Sequence, residues 1–136
     1  MNYLADTHIL LWAITNSTKL SKDARSIIEN EQNEIFYSFA NIWEIAIKHA
    51  LGKPDMPISS KEFDKLCLQS GYIPLEMDPR HAFATELLKY DRDNAPSVHR
   101  DPFDRLLLAQ AKTEGMKFLT HDSLIPYYHE DCVVSV

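Results

Sequence analysis

Apolar and polar positions along this chain change period in a regular order, and the changes outline its elements. Residues 2 to 5 form a short apolar run of the kind a buried strand makes, and Thr7 to Ile14 follows at helical spacing with Ile9, Leu10, Trp12 and Ala13 apolar. Ser21 has the character of an N-cap and predicts a second helix ending near Asn30. Glu34 to Ser38 alternates around Ile35, Phe36 and Tyr37, a strand signature, and Phe39 to Leu51 is a helix by length and by its closing Gly52.

Beyond the turn-rich joint Lys53-Pro54-Asp55-Met56-Pro57, Ser59 or Ser60 caps a helix running to about Gln69, and Gly71 closes that element. Tyr72 to Leu75 reads as an edge strand, where Pro74 is tolerated. Asp78-Pro79 places a capping residue before a proline at the first helical position and predicts a helix to about Tyr90. Asp91 to Arg100 carries no apolar pattern and is expected to be an exposed loop. Asp101-Pro102 repeats the cap-plus-proline start for a helix from Pro102 to Glu114, ended by Gly115. Met116 to Thr120 and Cys132 to Val136 are the last strands, with a helical turn around Ser123 to Tyr128 between them. Strands alternating with helices predict an α/β fold whose mainly parallel sheet of about five strands is covered on both faces. Residues 1–136 are expected to form a single domain.

In such folds ligands bind beyond the carboxyl ends of the strands. Acidic residues stand at those places: Asp6 after the first strand, Asp122 after Phe118-Leu119-Thr120-His121, and Asp101 and Asp104 at the start of a helix. Glu44 lies inside the otherwise apolar Ile42-Trp43-Glu44-Ile45-Ala46-Ile47. Each aspartate has a structural alternative, because Asp6, Asp101 and Asp122 stand where helix caps stand and Asp104 suits the helix dipole. Glu44 has only an i,i+4 ion pair with Lys48 as its alternative, and a helix apolar on nearly all sides is expected to be buried. Carboxylates gathered at one sheet edge cannot all stay ionised without a cation, and oxygen-only donors suit Mg²⁺ or Mn²⁺. The six histidines and two cysteines show no zinc spacing, and three glycines supply no phosphate-cradling loop. A hydrolase in which a metal-activated water is the nucleophile remains.

Composition modifies this picture only slightly. The twenty acids exceed the fourteen bases by six, which at first counts against a phosphate-rich ligand. Without the five candidate acids the balance is fifteen to fourteen, so most of the excess sits in the candidate site. Cys67 and Cys132 lie in unrelated contexts and read as two reduced core thiols. Asp6 and His8 interrupt the first apolar stretch, and no run approaches the roughly 18 apolar residues of a membrane span, so a soluble cytoplasmic protein without a membrane partner is expected.

Four blocks of the chain together resemble PIN-domain ribonucleases, in particular VapC-type toxins of type II toxin–antitoxin pairs. They are Leu4-Ala5-Asp6-Thr7-His8-Ile9-Leu10-Leu11-Trp12-Ala13, Asn41-Ile42-Trp43-Glu44-Ile45-Ala46-Ile47-Lys48, the stretch from His99-Arg100-Asp101-Pro102-Phe103-Asp104-Arg105 to Ala111, and Leu119-Thr120-His121-Asp122. The resemblance implies a three-layer α/β/α PIN-like domain and Mg²⁺- or Mn²⁺-dependent hydrolysis of RNA phosphodiester bonds. It also implies a growth- or translation-inhibiting role, a cognate antitoxin and a homodimer. By this analogy Asp6, Glu44, Asp104 and Asp122 form an acidic quartet with Asp101 as close neighbour, and the third role stays open between Asp101 and Asp104. Thr7 and Thr120 match polar positions behind the carboxylates. Lys48, His49, Arg100 and Arg105 flank the acidic blocks as candidate RNA contacts or surface charges. Trp12 and Trp43 sit in apolar helical stretches and read as core or dimer-interface residues. Lys53 to Ser60 and the adjoining helix are candidate partner surface. Two alternatives are a non-catalytic PIN-like module that binds RNA or a partner, and a haloacid-dehalogenase-like phosphatase. The first is disfavoured by the full set of acids, the second by His8 where a second aspartate is needed.

Overall fold

Strands of three to five residues have room for only one to three side chains per face, so alternation decides which layer each reaches. The computed structural model describes residues 1–136, with β1 (Asn2–Ala5), α1 (Thr7–Ile14), α2 (Lys22–Glu29), β2 (Glu34–Ser38), α3 (Phe39–Ala50), α4 (Ser60–Gln69) and β3 (Ile73–Leu75). There follow α5 (Pro79–Thr85), α6 (Pro102–Glu114), β4 (Lys117–Thr120), a 3-10 turn (Ile125–Tyr128) and β5 (Val133–Ser135). The strands form one all-parallel sheet in the order β3-β2-β1-β4-β5. Leu4 of the central strand is in register with Phe36 on one side and Phe118 on the other.

Tyr3, Ala5, Ile35, Tyr37 and Leu119 point to one layer, where they pack with Ile9, Leu10, Ala24, Phe63 and Cys67 of α1, α2 and α4. Leu4 and Phe118 point to the other, against Leu107, Leu108 and Ala111 of α6. Helix α3 contributes Ile45 to the first layer and Ala40 to the second. The result is the three-layer α/β/α arrangement expected from the alternation of elements. Its two edge strands are β3 and β5, and β3 carries Pro74 where a missing ladder donor matters least. Ser21, Ser59, Asp78 and Asp101 cap their helices, and Gly115 ends α6 in the left-handed conformation at φ 68°. No helix is long and apolar enough to cross a membrane.

Three expectations are corrected. Helix α5 stops at Thr85 rather than near Tyr90, because the next N–H groups donate to carbonyls three residues back, as Glu86 does to Phe83 and Leu87 to Ala84. The carbonyls of Thr85 and Leu88 at this end accept from the Arg105 guanidinium at 2.7 and 3.1 Å. The stretch from Asp91 to Arg100 is irregular and mostly exposed, as expected, though anchored at both ends, since Asp91 N–H donates to the Tyr127 carbonyl and the His99 side chain is only 3% exposed. Helix α3 is not buried all round: Phe39, Trp43, Ile47 and Leu51 form an exposed apolar row at four-residue spacing. Cys132 is half-buried rather than a core thiol like Cys67.

Arg105 therefore holds α6 to the end of α5, with its guanidinium also over the Tyr128 ring. Replacing Arg105 by Ala is expected to lower stability by about 1–3 kcal/mol, because the Leu88 carbonyl loses its donor and the Thr85 carbonyl keeps only the long bond from Leu88 N–H. Urea denaturation measures this, and an unchanged midpoint would show that the contact carries nothing.

Candidate functional site

Each acidic side chain is placed by the element boundary it occupies. Asp6 leaves β1 in an extended conformation and caps α1, one carboxylate oxygen accepting from Ile9 N–H at 2.9 Å. Its other oxygen accepts from the Thr120 hydroxyl at 2.6 Å and from His121 N–H at 3.0 Å. Thr120 ends β4, the parallel neighbour of β1, so the turn carrying Asp122 is drawn beside Asp6. That turn closes when Asp122 N–H donates back to Thr120 Oγ1 and Asp122 Oδ1 accepts from Leu124 N–H.

Glu44 is held through a buried chain of polar groups. Asn41, one turn before it on α3, accepts from Ser38 N–H at 2.6 Å and donates to Thr7 Oγ1 at 2.9 Å. The Thr7 hydroxyl in turn donates to one Glu44 oxygen, and Lys48 Nζ donates to the other at 2.6 Å. Asp101 caps α6, accepting from Phe103 and Asp104 N–H at 2.8 and 3.2 Å, which sets Asp104 in the first turn. Asp6, Glu44, Asp101, Asp104 and Asp122 line one cavity of about 340 Å³, together with His8, Trp12 and His121.

The other expected residues divide. Thr7 and Thr120 lie behind the carboxylates as hydrogen-bond donors. Lys48 pairs with Glu44 at 2.6 Å while Arg100 is exposed. Arg105 is a correction, since its donors are taken by Thr85, Leu88 and Tyr128 and it is not a free surface charge. His49 Nδ1–H donates to the Met56 carbonyl and ties the joint after α3 to that helix. Trp12 is half-buried on the cavity wall, and Trp43 is exposed, packing edge-on against Phe103.

Charge is distributed unevenly. Burial pushes the Asp6 carboxyl up despite its three donors. Asp104 is pushed up to about 7, first by burial and then by the charges of Asp101 and Asp6 and its contact with Asp122, with His99 opposing. Burial works to lower the Lys48 pKa, but the hydrogen bond and charge of Glu44, with Asp101 and Asp104 beyond, outweigh it and the pKa rises. Glu44, which looked most in need of an outside partner, has two of its own in Thr7 and Lys48, whereas Asp104 faces other carboxylates. A divalent cation fits this donor set, since it relieves that repulsion with oxygen ligands of the right chemistry.

Sequence reading missed His99 and Asn41. His99 immediately precedes Arg100-Asp101 in a block already singled out, but its spacing matches no metal motif. Its burial depends on Tyr90 and Tyr128, whose rings lie 5.9 and 5.3 Å from its own. Asn41 stood beside Ser38 in the expected α3 start, where a capping-box pattern was open to recognition.

Residues 3–128 match the family model of the PIN domain, and the chain belongs to the PIN domain family. Among solved structures it is similar to VapBC2 from Rickettsia felis bound to a promoter DNA fragment, at 14% identity and TM-score 0.66 over 100% of this chain and 98% of that one. It is also similar to DNA-bound VapBC from Salmonella typhimurium, at 14% identity and TM-score 0.63 over 99% and 98%. A toxin–antitoxin complex from Klebsiella pneumoniae gives 15% and 0.62 over 98% and 96%. No curated protein matches the chain by sequence.

The electrostatics give a pH test. Asp104 moves from 3.8 to about 7 on folding, so between those values the folded protein keeps a proton that the unfolded chain has released. Stability of the chelator-treated protein is expected to decline as pH rises through that interval and to level off above it. Thermal melts in EDTA should show this, and Asp104→Asn should flatten the slope. A wild-type profile that rises over the same interval contradicts the assignment.

Proposed function

We propose that this protein is a metal-dependent endoribonuclease, the VapC-type toxin of a toxin–antitoxin pair, acting on RNA in the cytoplasm. The observation that carries the reading is the convergence of five carboxylates from four separate segments on one open cavity at the carboxyl ends of the strands. Membership of the PIN family supports a nuclease, and the resemblance of the fold to VapBC proteins supports the toxin role. The acids of the cavity would hold Mg²⁺ or Mn²⁺, with Asp6 and Asp104 or Asp101 as principal ligands and Glu44 and Asp122 beside them. When bound, such a cation would supply positive charge for the phosphate and would lower the pKa of a water molecule.

The chain's own residues supply the rest. Asp6 is fixed in position by Thr120, His121 and Ile9, so its carboxylate needs no reorganisation when substrate arrives. Glu44 and Asp122 accept the proton of the attacking water or orient it, Glu44 being steadied by Thr7 and Lys48. Lys48 and Arg100 offer cationic contacts for the RNA backbone. In-line attack leaves 5′-phosphate and 3′-hydroxyl ends. A homodimer and a covering antitoxin belong to the same reading, supported by the exposed apolar row on α3.

Purified protein is to be incubated with single-stranded and structured RNA in Mg²⁺, Mn²⁺ or EDTA, beside Asp6→Ala and Thr120→Val. Cleavage is expected with metal only, to vanish in Asp6→Ala, and to fall by about 10–100-fold in Thr120→Val, which removes a donor behind a ligand. Equal cutting by wild type and Asp6→Ala would sink the reading as contamination.

A further inference from the structure

Two buried side-chain polar atoms in this protein have no hydrogen-bond partner, Gln110 Oε1 and His99 Nε2. The second faces two of the carboxylates that line the acidic cavity. It stands 3.7 Å from Asp104 Oδ2 and 3.7 Å from Asp122 Oδ2, beyond hydrogen-bonding reach of either. Ligand atoms each ~2.0–2.2 Å from a common ion are ~3 Å apart when they meet it at a right angle and ~4 Å apart when opposed. The observed separations fall inside that span, and one atom from each of the three residues lies within 4.8 Å of the others.

The back of the ring is equally specific. His99 Nδ1 lies 2.6 Å from the Tyr128 hydroxyl, which also accepts from Arg105 at 3.4 Å. When Nδ1–H donates to Tyr128, the Nε2 lone pair points at the two carboxylates. A ligating histidine is held in the same way, by a hydrogen bond from its other nitrogen. His8 and His121, the histidines that line the cavity, differ in exposure: the His8 side chain is 37% exposed with Nε2 3.0 Å from Asp55, and His121 is exposed with Nδ1–H donating to the Val136 carbonyl, so neither leaves a buried nitrogen without a partner. The second acid–histidine cluster, Asp78, His81 and Glu114, is self-contained, because both His81 nitrogens are engaged.

We propose that His99 Nε2, Asp104 and Asp122 form a three-ligand site for a divalent first-row transition cation, so that the cavity selects Mn²⁺-type ions over Mg²⁺. Mg²⁺ takes oxygen ligands and sheds water reluctantly, while an imidazole nitrogen favours transition ions. The inference rests on the nuclease reading for the use made of the ion, but its binding is measured without RNA. It turns the two remote groups behind His99 into positioning residues: Tyr128 fixes the ring and Arg105 fixes Tyr128.

The test titrates Mn²⁺ alone and Mg²⁺ alone into the full-length protein by calorimetry, with pulsed electron paramagnetic resonance on the Mn²⁺ form. Wild type is expected to show nitrogen modulation from a directly bound imidazole. His99→Gln should lose it and bind Mn²⁺ about tenfold more weakly or worse, with Mg²⁺ affinity unchanged. His8→Gln and His121→Gln should keep the signal. Should His99→Gln fail to fold, Tyr128→Phe decides: the ring stays, the nitrogen signal persists, and Mn²⁺ affinity drops by about 10–100-fold. Mn²⁺ bound without nitrogen modulation, modulation that survives in His99→Gln, or Mn²⁺ and Mg²⁺ weakening together overturns the role of His99 and leaves the carboxylate site standing. Failure of wild type to bind either ion overturns both.

Discussion

Asp6 is nearly inaccessible to solvent and accepts from three donors belonging to two different parts of the chain, α1 just after it and the β4 end more than a hundred residues later. Those bonds favour its charged form, burial opposes it, and burial prevails. The same contacts do structural work: they start a helix, lock the end of the central strand pair, and set the direction of the turn that carries Asp122. Moving this carboxylate would unsettle α1, the β1–β4 junction and the cavity wall together.

The remaining acids solve the like-charge problem in different ways. Asp101 and Asp122 spend an oxygen on backbone N–H groups and so are useful to the fold whatever else they do. Glu44 draws on Thr7 and on Lys48 one turn later, and because its carboxylate is buried, removing either partner would leave a charge uncompensated. Asp104 has neither device. Its environment is arranged against ionisation, the condition in which a nearby cation gains most and in which perturbed groups mark functional places.

Local chemistry made most of the fold legible. Ser21, Asp78-Pro79, Asp101-Pro102 and Gly115 announce helix ends through contacts a few residues away, and Pro74 announces an edge. The acids were legible too, because strand ends in parallel sheets are where such residues converge. What stayed hidden was decided at long range. The end of α5 depends on Arg105, twenty residues beyond Thr85, and the burial of His99 depends on Tyr128, beyond β4. Likewise, the repeat of Phe39, Trp43, Ile47 and Leu51 was readable as a helical face, yet periodicity alone does not say whether a face meets the core or the outside.

The strand order has one more consequence. With β1 in the middle and β4 beside it, Asp6 and the turn carrying Asp122 are neighbours in space but stand more than a hundred residues apart along the chain. A chain emerging from the ribosome carries Asp6 and Glu44 long before Thr120 and Asp122 exist, and until then the cavity has no fourth wall. Assembly of the site therefore waits on the β4 segment: a nascent chain that has not yet exposed Thr120 and Asp122 lacks the donor behind Asp6 and the last of the acids.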